Sequence, residues 1–143
     1  LARLDPSIAS VRLDGAGPTF SSGGDLDEFG HASDLAAAHA IRLHQSAGLA
    51  ISAIADKVTV TLHGRCFGAG IEVPAFARTV RALPGTTVCL PELAMGLIPG
   101  AGGTASIKAR VGAWRTAYMA LSGAEIEAEQ ALEWGLIDQV VTR

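Results

Sequence analysis

The stretch KVTVTLHGRCFGAGIEVPAFARTVRA, residues 57–82, decides how the chain is read. Its first part, KVTVTLHG at 57–64, is a β-branched run ended by Gly64 and reads as a strand. The segment from Ala69 to Ala77 reads as a short helix, and RTVRA at 78–82 as a second strand. Strand, helix, strand is a βαβ unit, which places the two strands parallel in one sheet. Downstream, TTVCL at 86–90 predicts a third strand that meets Pro91. Helices follow at about 101–111, 113–121 and 125–134, and GLIDQVV at 135–141 predicts a closing strand. Upstream, SIASVRLDGAG predicts a short strand around Ile8 to Leu13 that runs into a turn at Gly15 and Gly17. From Ser33 to about Ala55 the chain is Ala-rich and free of Pro, with Leu43, Ala47, Ala50 and Ile54 recurring at helical spacing. Ser33 and Asp34 supply a cap for that helix and Gly48 weakens it. Strands alternating with helices give an α/β fold with mainly parallel pairing and one core domain, residues 1–143.

Composition narrows the function. Apolar residues make up 49% of the 143 residues and charged residues only 17%, which excludes a disordered segment and implies a well-buried globular unit. Mean hydropathy is +0.34, high for a free-standing domain, so apolar surface is expected to lie against other protein. No apolar run approaches the ~20 residues of a membrane helix, so no membrane partner is expected. A net charge of −3 without a basic stripe gives no reason to bind nucleic acid. Cys66 and Cys89 show no CxxC or metal-type spacing and read as reduced core thiols of a cytoplasmic protein.

Three glycine-rich runs carry the chemistry: FSSGGDL at 20–26, FGAGIE at 67–72 and LIPGAGGT at 97–104. GAGGT lacks the Gly-Lys-Ser/Thr ending of a phosphate-binding loop, and GAGPTF at 15–20 lacks the third Gly of a dinucleotide fingerprint. His31, His39, His44 and His63 form no metal-binding pair, so no metal is expected and the histidines read as surface or internally bonded. Ser21 and Ser22 lack a nucleophile elbow. Trp114 and Trp134 read as packing residues. Glu72 and Glu92 stand out as lone carboxylates in apolar runs, FGAGIEVPAFA and VCLPELAMG. Read singly, Glu72 is as readily a helix N-terminal acid and Glu92 an exposed turn acid. In an apolar site, however, a carboxyl favours its neutral form, as a general acid requires. Backbone N–H groups left free after a strand or at a helix start bind a developing oxyanion, and Gly24 and Ala69 are so placed. Two such donors with a nearby carboxyl suit an enolate formed next to a thioester, and a second carboxyl allows water to be added.

These residues resemble the enoyl-CoA hydratase/isomerase (crotonase) superfamily. The resemblance rests on FSSGGDLDEF at 20–29, VTLHGRCFGAGIEV at 60–73, LPELAMGLIPGAGGT at 90–104 and LSGAEIEAEQALEWGLIDQVV at 121–141, in the family's order. It implies a crotonase-like (ClpP/crotonase) spiral of ββα units. It also implies that the N–H groups of Gly24 and Ala69 form the oxyanion hole for an acyl-CoA carbonyl. Ala69 stands where many relatives have Gly, which matters little because the donor is main-chain. Phe20, Gly23, Asp25, Leu26, Asp27 and Gly68 would line the substrate entrance. Glu72 and Glu92 match the two acids of the hydratases, with Glu92 delivering a proton to the α-carbon, and LIPGAGGT reads as scaffold for Glu92 rather than a phosphate cradle. Pro74 falls in a first helical turn, where it is tolerated.

The resemblance further implies an acyl-CoA substrate, no cofactor beyond the coenzyme A of that substrate, and a homotrimer or hexamer. Relatives are longer, so the opening β-hairpin region and closing helices are expected to be missing here. Three functions follow: an enoyl-CoA hydratase, an isomerase, hydrolase or other acyl-CoA enzyme of the same fold, or a non-catalytic trimer-forming scaffold.

Overall fold

The computed structural model describes residues 5–28 and 33–142. Phe29 of the first motif and His31 lie outside them. Among the described residues seven strands form two sheets: β1 (Val11–Asp14), β2 (Val58–Leu62), β4 (Thr79–Ala82) and β7 (Gln139–Val140) in one, β3 (Arg65–Phe67), β5 (Thr87–Cys89) and β6 (Ile126–Glu127) in the other. The four-stranded sheet has the order β1-β2-β4-β7 and is parallel throughout. In the three-stranded sheet, order β3-β5-β6, β3 pairs parallel with β5 and β5 antiparallel with β6.

The parallel pairing read from residues 57–82 is present, with Thr59 opposite Thr79 and Leu62 opposite Ala82. Between the paired strands the chain does more than cross over. It turns at His63 and Gly64, gives β3 to the second sheet, and only then enters α3 (Ala69–Glu72) and a 3₁₀ turn at Pro74–Phe76. Pro74 opens that turn, where its missing N–H costs nothing. The pattern repeats: β4 joins the first sheet, β5 the second, and α4 (Gly103–Ser122) follows. Two ββα units in succession build the spiral. β3 escapes the period-2 reading because three residues carry too little pattern to show it.

The core follows the alternation of β2. Val58, Val60 and Leu62 point inward with 1% or less exposure, while Thr59 and Thr61 take the other face. Val80, Leu90, Ile71, Ile107, Met119, Leu136 and Ile137 join them. Each such side chain stabilises the fold by about 1.5–3 kcal/mol relative to exposure. Cys66 and Cys89 are free and buried.

Three expectations need correction. The helix predicted over 33–55 is two helices, α1 (Leu35–His44) and α2 (Ala47–Ser52). Asp34 caps the first as expected, accepting from the N–H groups of Ala36 and Ala37, but Ser46 accepts from Leu49 N–H and restarts the register. Leu43, Ala47 and Ala50 therefore share no buried face, and the buried residue of α2 is Gly48. The helices predicted at 101–111 and 113–121 are both present, as α4 broken at Gly112 (φ 81°, ψ 169°). The helix predicted from 125 starts later, because Ile126–Glu127 pair with β5 before α5 (Ala128–Trp134) begins. Trp134 packs against the core and meets Tyr118 edge-on, whereas Trp114 is 90% exposed on the outer face of α4, because helical apolarity alone does not say which face is inside. Among the described residues no helix is long and apolar enough to cross a membrane.

Candidate active site

Three loops meet at one end of the two sheets because of strand register. Phe67 pairs with Cys89, so β3 and β5 end side by side. Beyond β3 the chain makes the turn at Gly68 and starts α3 with Ala69, and beyond β5 it passes Pro91 into a 3₁₀ turn at Glu92–Met95. The Gly68 N–H donates to the Cys89 carbonyl at 2.9 Å, which ties the two exits together. On the other edge of β3, Ser21 forms a parallel bridge with Cys66 and its carbonyl accepts from Phe67 N–H at 3.1 Å. The loop 20–24 is thereby laid beside the start of α3, and Gly70 leaves room for the Ser21 carbonyl to press against it.

A cavity of about 1310 Å³ opens between these loops, the α1–α2 pair and the run 97–105. Gly23, Gly24, Asp25, Leu26, Gly68, Ala69, Glu72 and Glu92 all line it. Phe20 and Asp27 do not. Phe20 packs toward the core and donates its N–H to the His63 carbonyl at 2.9 Å. The Asp27 N–H turns back to the Asp25 carboxylate at 3.0 Å in a short 3₁₀ turn, Leu26–Glu28. Among the described residues, no acceptor meets the N–H of Gly24 or Ala69. For Ala69, at the head of α3, this follows from helix geometry, since the first N–H groups of a helix have no partner within it.

Glu72 is 1% exposed and Glu92 is 8% exposed. Their carboxyls are held differently. Oε2 of Glu72 accepts from the N–H groups of Gly103 (2.7 Å) and Ala101 (3.0 Å), and Ser106 Oγ donates to its backbone carbonyl at 2.7 Å. The run LIPGAGGT is therefore a cradle for a carboxyl rather than a phosphate, and the carboxyl is the protein's own Glu72. The expectation that it serves Glu92 needs correcting on the same ground. Its hydrogen bond with Glu92 is between backbone groups, Leu97 N–H to the Glu92 carbonyl at 2.9 Å. The signal for the cradle was in the sequence, since glycines heading a helix expose N–H groups, but spacing could not say which acid lay against them.

Glu92 leans over the turn at Gly68, where a Cβ would fall 2.7 Å from Oε1. Gly68 also has φ 52°, so both space and backbone conformation require glycine there. Oε2 of Glu92 is buried with no partner among the described residues. A buried oxygen in that state is costly unless a polar group meets it, and this one lines the cavity. Burial pushes the Glu72 carboxyl up to about 7, and the negative charge of Glu92 adds to the rise against the lowering effect of the Gly103 and Ala101 N–H groups. The arrangement is chemically able to store and pass one proton between two carboxyls that line one cavity.

Of the histidines expected at the surface or internally bonded, His39 and His44 are exposed and His63 is buried with its ring bonded. Among the described residues, no group of three His, Cys, Asp or Glu could hold a metal ion.

Comparison with known proteins agrees with this architecture. The family model described as enoyl-CoA hydratase/isomerase matches residues 1–143. The crystal structure of an enoyl-CoA hydratase from Thermoplasma volcanium is similar at 30% identity and a TM-score of 0.86, covering 98% of this chain and 56% of that one. DspI of Pseudomonas aeruginosa is similar at 33% identity and a TM-score of 0.83, covering 97% and 53%. An enoyl-CoA hydratase/isomerase family protein from Silicibacter pomeroyi matches at 25% identity and a TM-score of 0.82, covering 99% and 60%. The chain thus spans somewhat over half the length of these relatives. With a crotonase-like fold, a family match over its whole length and such neighbours, the chain belongs to the enoyl-CoA hydratase/isomerase family.

Proposed function

We propose that this chain carries the catalytic core of an enoyl-CoA hydratase that adds water across the double bond of a trans-2-enoyl-CoA. One observation carries the reading: two buried glutamates line a single cavity, one clamped by backbone N–H groups and raised toward neutrality, the other with an unpartnered oxygen. Substrate would enter with its thioester carbonyl between the N–H groups of Gly24 and Ala69 and its α- and β-carbons under the two carboxyls.

Water held between Glu72 and Glu92 loses a proton to the ionised carboxyl as its oxygen bonds to the β-carbon. The electron pair of the double bond moves to the thioester oxygen, where the two N–H groups stabilise the enolate. The protonated carboxyl then gives its proton to the α-carbon, and the pair ends with the one proton it began with. Removing one oxyanion donor or one acid is expected to lower kcat by roughly 100-fold or more. The reaction needs no group beyond the substrate's own coenzyme A. Exposed Trp114, Tyr118 and Leu121 on the outer face of α4 support assembly into a trimer or hexamer, which light scattering would measure. Two buried free thiols suit a reducing compartment such as the cytoplasm.

The test is the loss of conjugated thioester absorbance when crotonyl-CoA meets the full-length protein, with Glu72→Gln and Glu92→Gln beside it. Rapid loss, abolished by either substitution, is the expected outcome. Activity that survives Glu72→Gln would point to an isomerase or hydrolase that uses Glu92 alone. A folded protein that binds acyl-CoA without consuming crotonyl-CoA would point to an isomerase or a relative that takes a larger acyl chain, and one that shows no stabilisation by acyl-CoA would be a scaffold.

A further inference from the structure

The two backbone donors facing the cavity are supported unequally. Ala69 heads a helix whose preceding residue, Gly68, is bonded to β5. Gly24 sits on a loop that leaves β1 through Ala16, Gly17 and Pro18, all exposed. Beneath that loop, at the corner between β2 and β3, lies His63, which is 8% exposed. Its Nε2 is 3.1 Å from the Gly17 carbonyl oxygen. A carbonyl can only accept, so Nε2 carries the hydrogen. The ring fills the space under the turn, with Cε1 3.0 Å from where a Cβ on Gly15 would lie. The backbone carbonyl of the same residue accepts the Phe20 N–H at 2.9 Å. His63 therefore grips the loop at two points, Gly17 and Phe20. This ring bond reaches the exposed part of loop 15–24 from the body of the fold.

We propose that His63 is a positioning residue, whose Nε2–H bond to Gly17 holds the 15–24 loop so that the Gly24 N–H stays aimed at the acyl carbonyl. The inference rests on the reading of Gly24 and Ala69 as the oxyanion donors. It follows from how such donors work: their effect depends on being fixed before charge develops, and a donor on a loop holds its aim only as well as the loop is tied. A slack loop would still admit substrate, because the rest of the cavity is unchanged, but it would polarise the carbonyl less.

The experiment uses the full-length protein with butyryl-CoA labelled with ¹³C at the carbonyl, a thioester that has no double bond to hydrate. Isotope-edited infrared spectra report the lowering of the carbonyl stretch on binding. His63→Leu is expected to lose half or more of the wild-type shift, and kcat on crotonyl-CoA to fall roughly 10- to 100-fold with little change in KM. His63→Gln, whose amide N–H reaches the same carbonyl, is expected to restore most of both, whereas His63→Asn is too short to do so. A folded His63→Leu with the full shift and full kcat overturns the proposal. If His63→Leu does not fold, the Gln and Asn variants decide: an undiminished shift with Asn overturns it, and a shift kept by Gln and lost by Asn supports it. A wild-type protein that shifts the butyryl-CoA carbonyl yet does not hydrate crotonyl-CoA sinks the hydratase reading and leaves the role of His63 intact. No shift in the wild type overturns both.

Discussion

Gly103 opens α4, and alanine would suit its helical backbone. Space forbids it. An added Cβ would lie 2.7 Å from Cγ and 2.8 Å from Oε2 of Glu72, a side chain that is 1% exposed and cannot swing aside. Gly103→Ala should displace the carboxyl from its two N–H donors and lower kcat by at least about 10-fold, while costing about 1–3 kcal/mol of stability as an overpacked contact. Gly100→Ala is the control, since its nearest neighbour would be 3.5 Å away, and steady-state kinetics of the two variants should differ accordingly. Glu72 itself links the site to pH. Its carboxyl is raised by burial from 4.5 to about 7, so between those values the folded protein holds more protons than the unfolded chain. Stability from this group is fully present below about pH 4.5 and is lost as pH rises through 7. Glu72→Gln cannot ionise. Its denaturation midpoint should fall less steeply than wild type from pH 5 to pH 8, and a wild-type slope that matches the variant would refute the raised value.

At the scale of elements, the cavity wall is a contact between α2 and the 3₁₀ turn 74–76 through Gly48 and Phe76. A Cβ on Gly48 would fall 2.7 Å from the Phe76 ring and 3.1 Å from the Ala101 carbonyl, and one on Gly102 would meet the same ring at 2.7 Å. Gly48→Ala should therefore cost about 1–3 kcal/mol, and Phe76→Leu in the same chain should recover part of it, since the two share one clash. Urea denaturation of both single variants and the double variant measures that coupling, and strict additivity would show that α2 does not rest on Phe76. The same position shows what sequence could reveal. The parallel core around residues 57–82, the acids Glu72 and Glu92 and the glycine turns were legible, because period, punctuation and lone charges are local signals. Gly48 read only as a flaw in a helix, because its reason lies on an element 28 residues further along the chain. The split of residues 33–55 was hidden for a related cause: Ser46 looks like any serine until its hydroxyl is seen to accept the Leu49 N–H. The partner of the glycine run was equally hidden, since only the packing of α3 against α4 decides that Glu72 and not Glu92 meets Gly103.

At the scale of the whole molecule, one side chain joins α4 to the entrances of β4 and β7, the later strands of the four-stranded sheet. Arg110 donates from Nε to the Ala75 carbonyl (2.9 Å), from Nη2 to Ala77 (2.6 Å), and from Nη1 to Leu136 (3.2 Å) and to Asp138 Oδ2 (3.2 Å). The Asp138 carboxylate in turn accepts from Val80 N–H at 2.7 Å, so the entrances to β4 and β7 are held to each other and to the helix. The Arg110 side chain is only 12% exposed, and its fork meets carbonyls on several sides that a single ammonium cannot reach together. Arg110→Lys should cost about 2–4 kcal/mol, since several backbone carbonyls lose a charged donor at once. Asp138→Asn, at a side chain 42% exposed, should cost about 1 kcal/mol or less. Urea midpoints should move in that order with m unchanged, because the clamp ties elements that remain folded until the whole domain opens. Activity per folded molecule should stay near wild type in both variants, because Glu72 takes its hydrogen bonds from Ala101, Gly103 and Ser106 and none from Arg110. A fall in kcat at full occupancy of the native state would instead mean that the strain of a loosened α4 is felt at its first turn, where Gly103 and Glu72 meet.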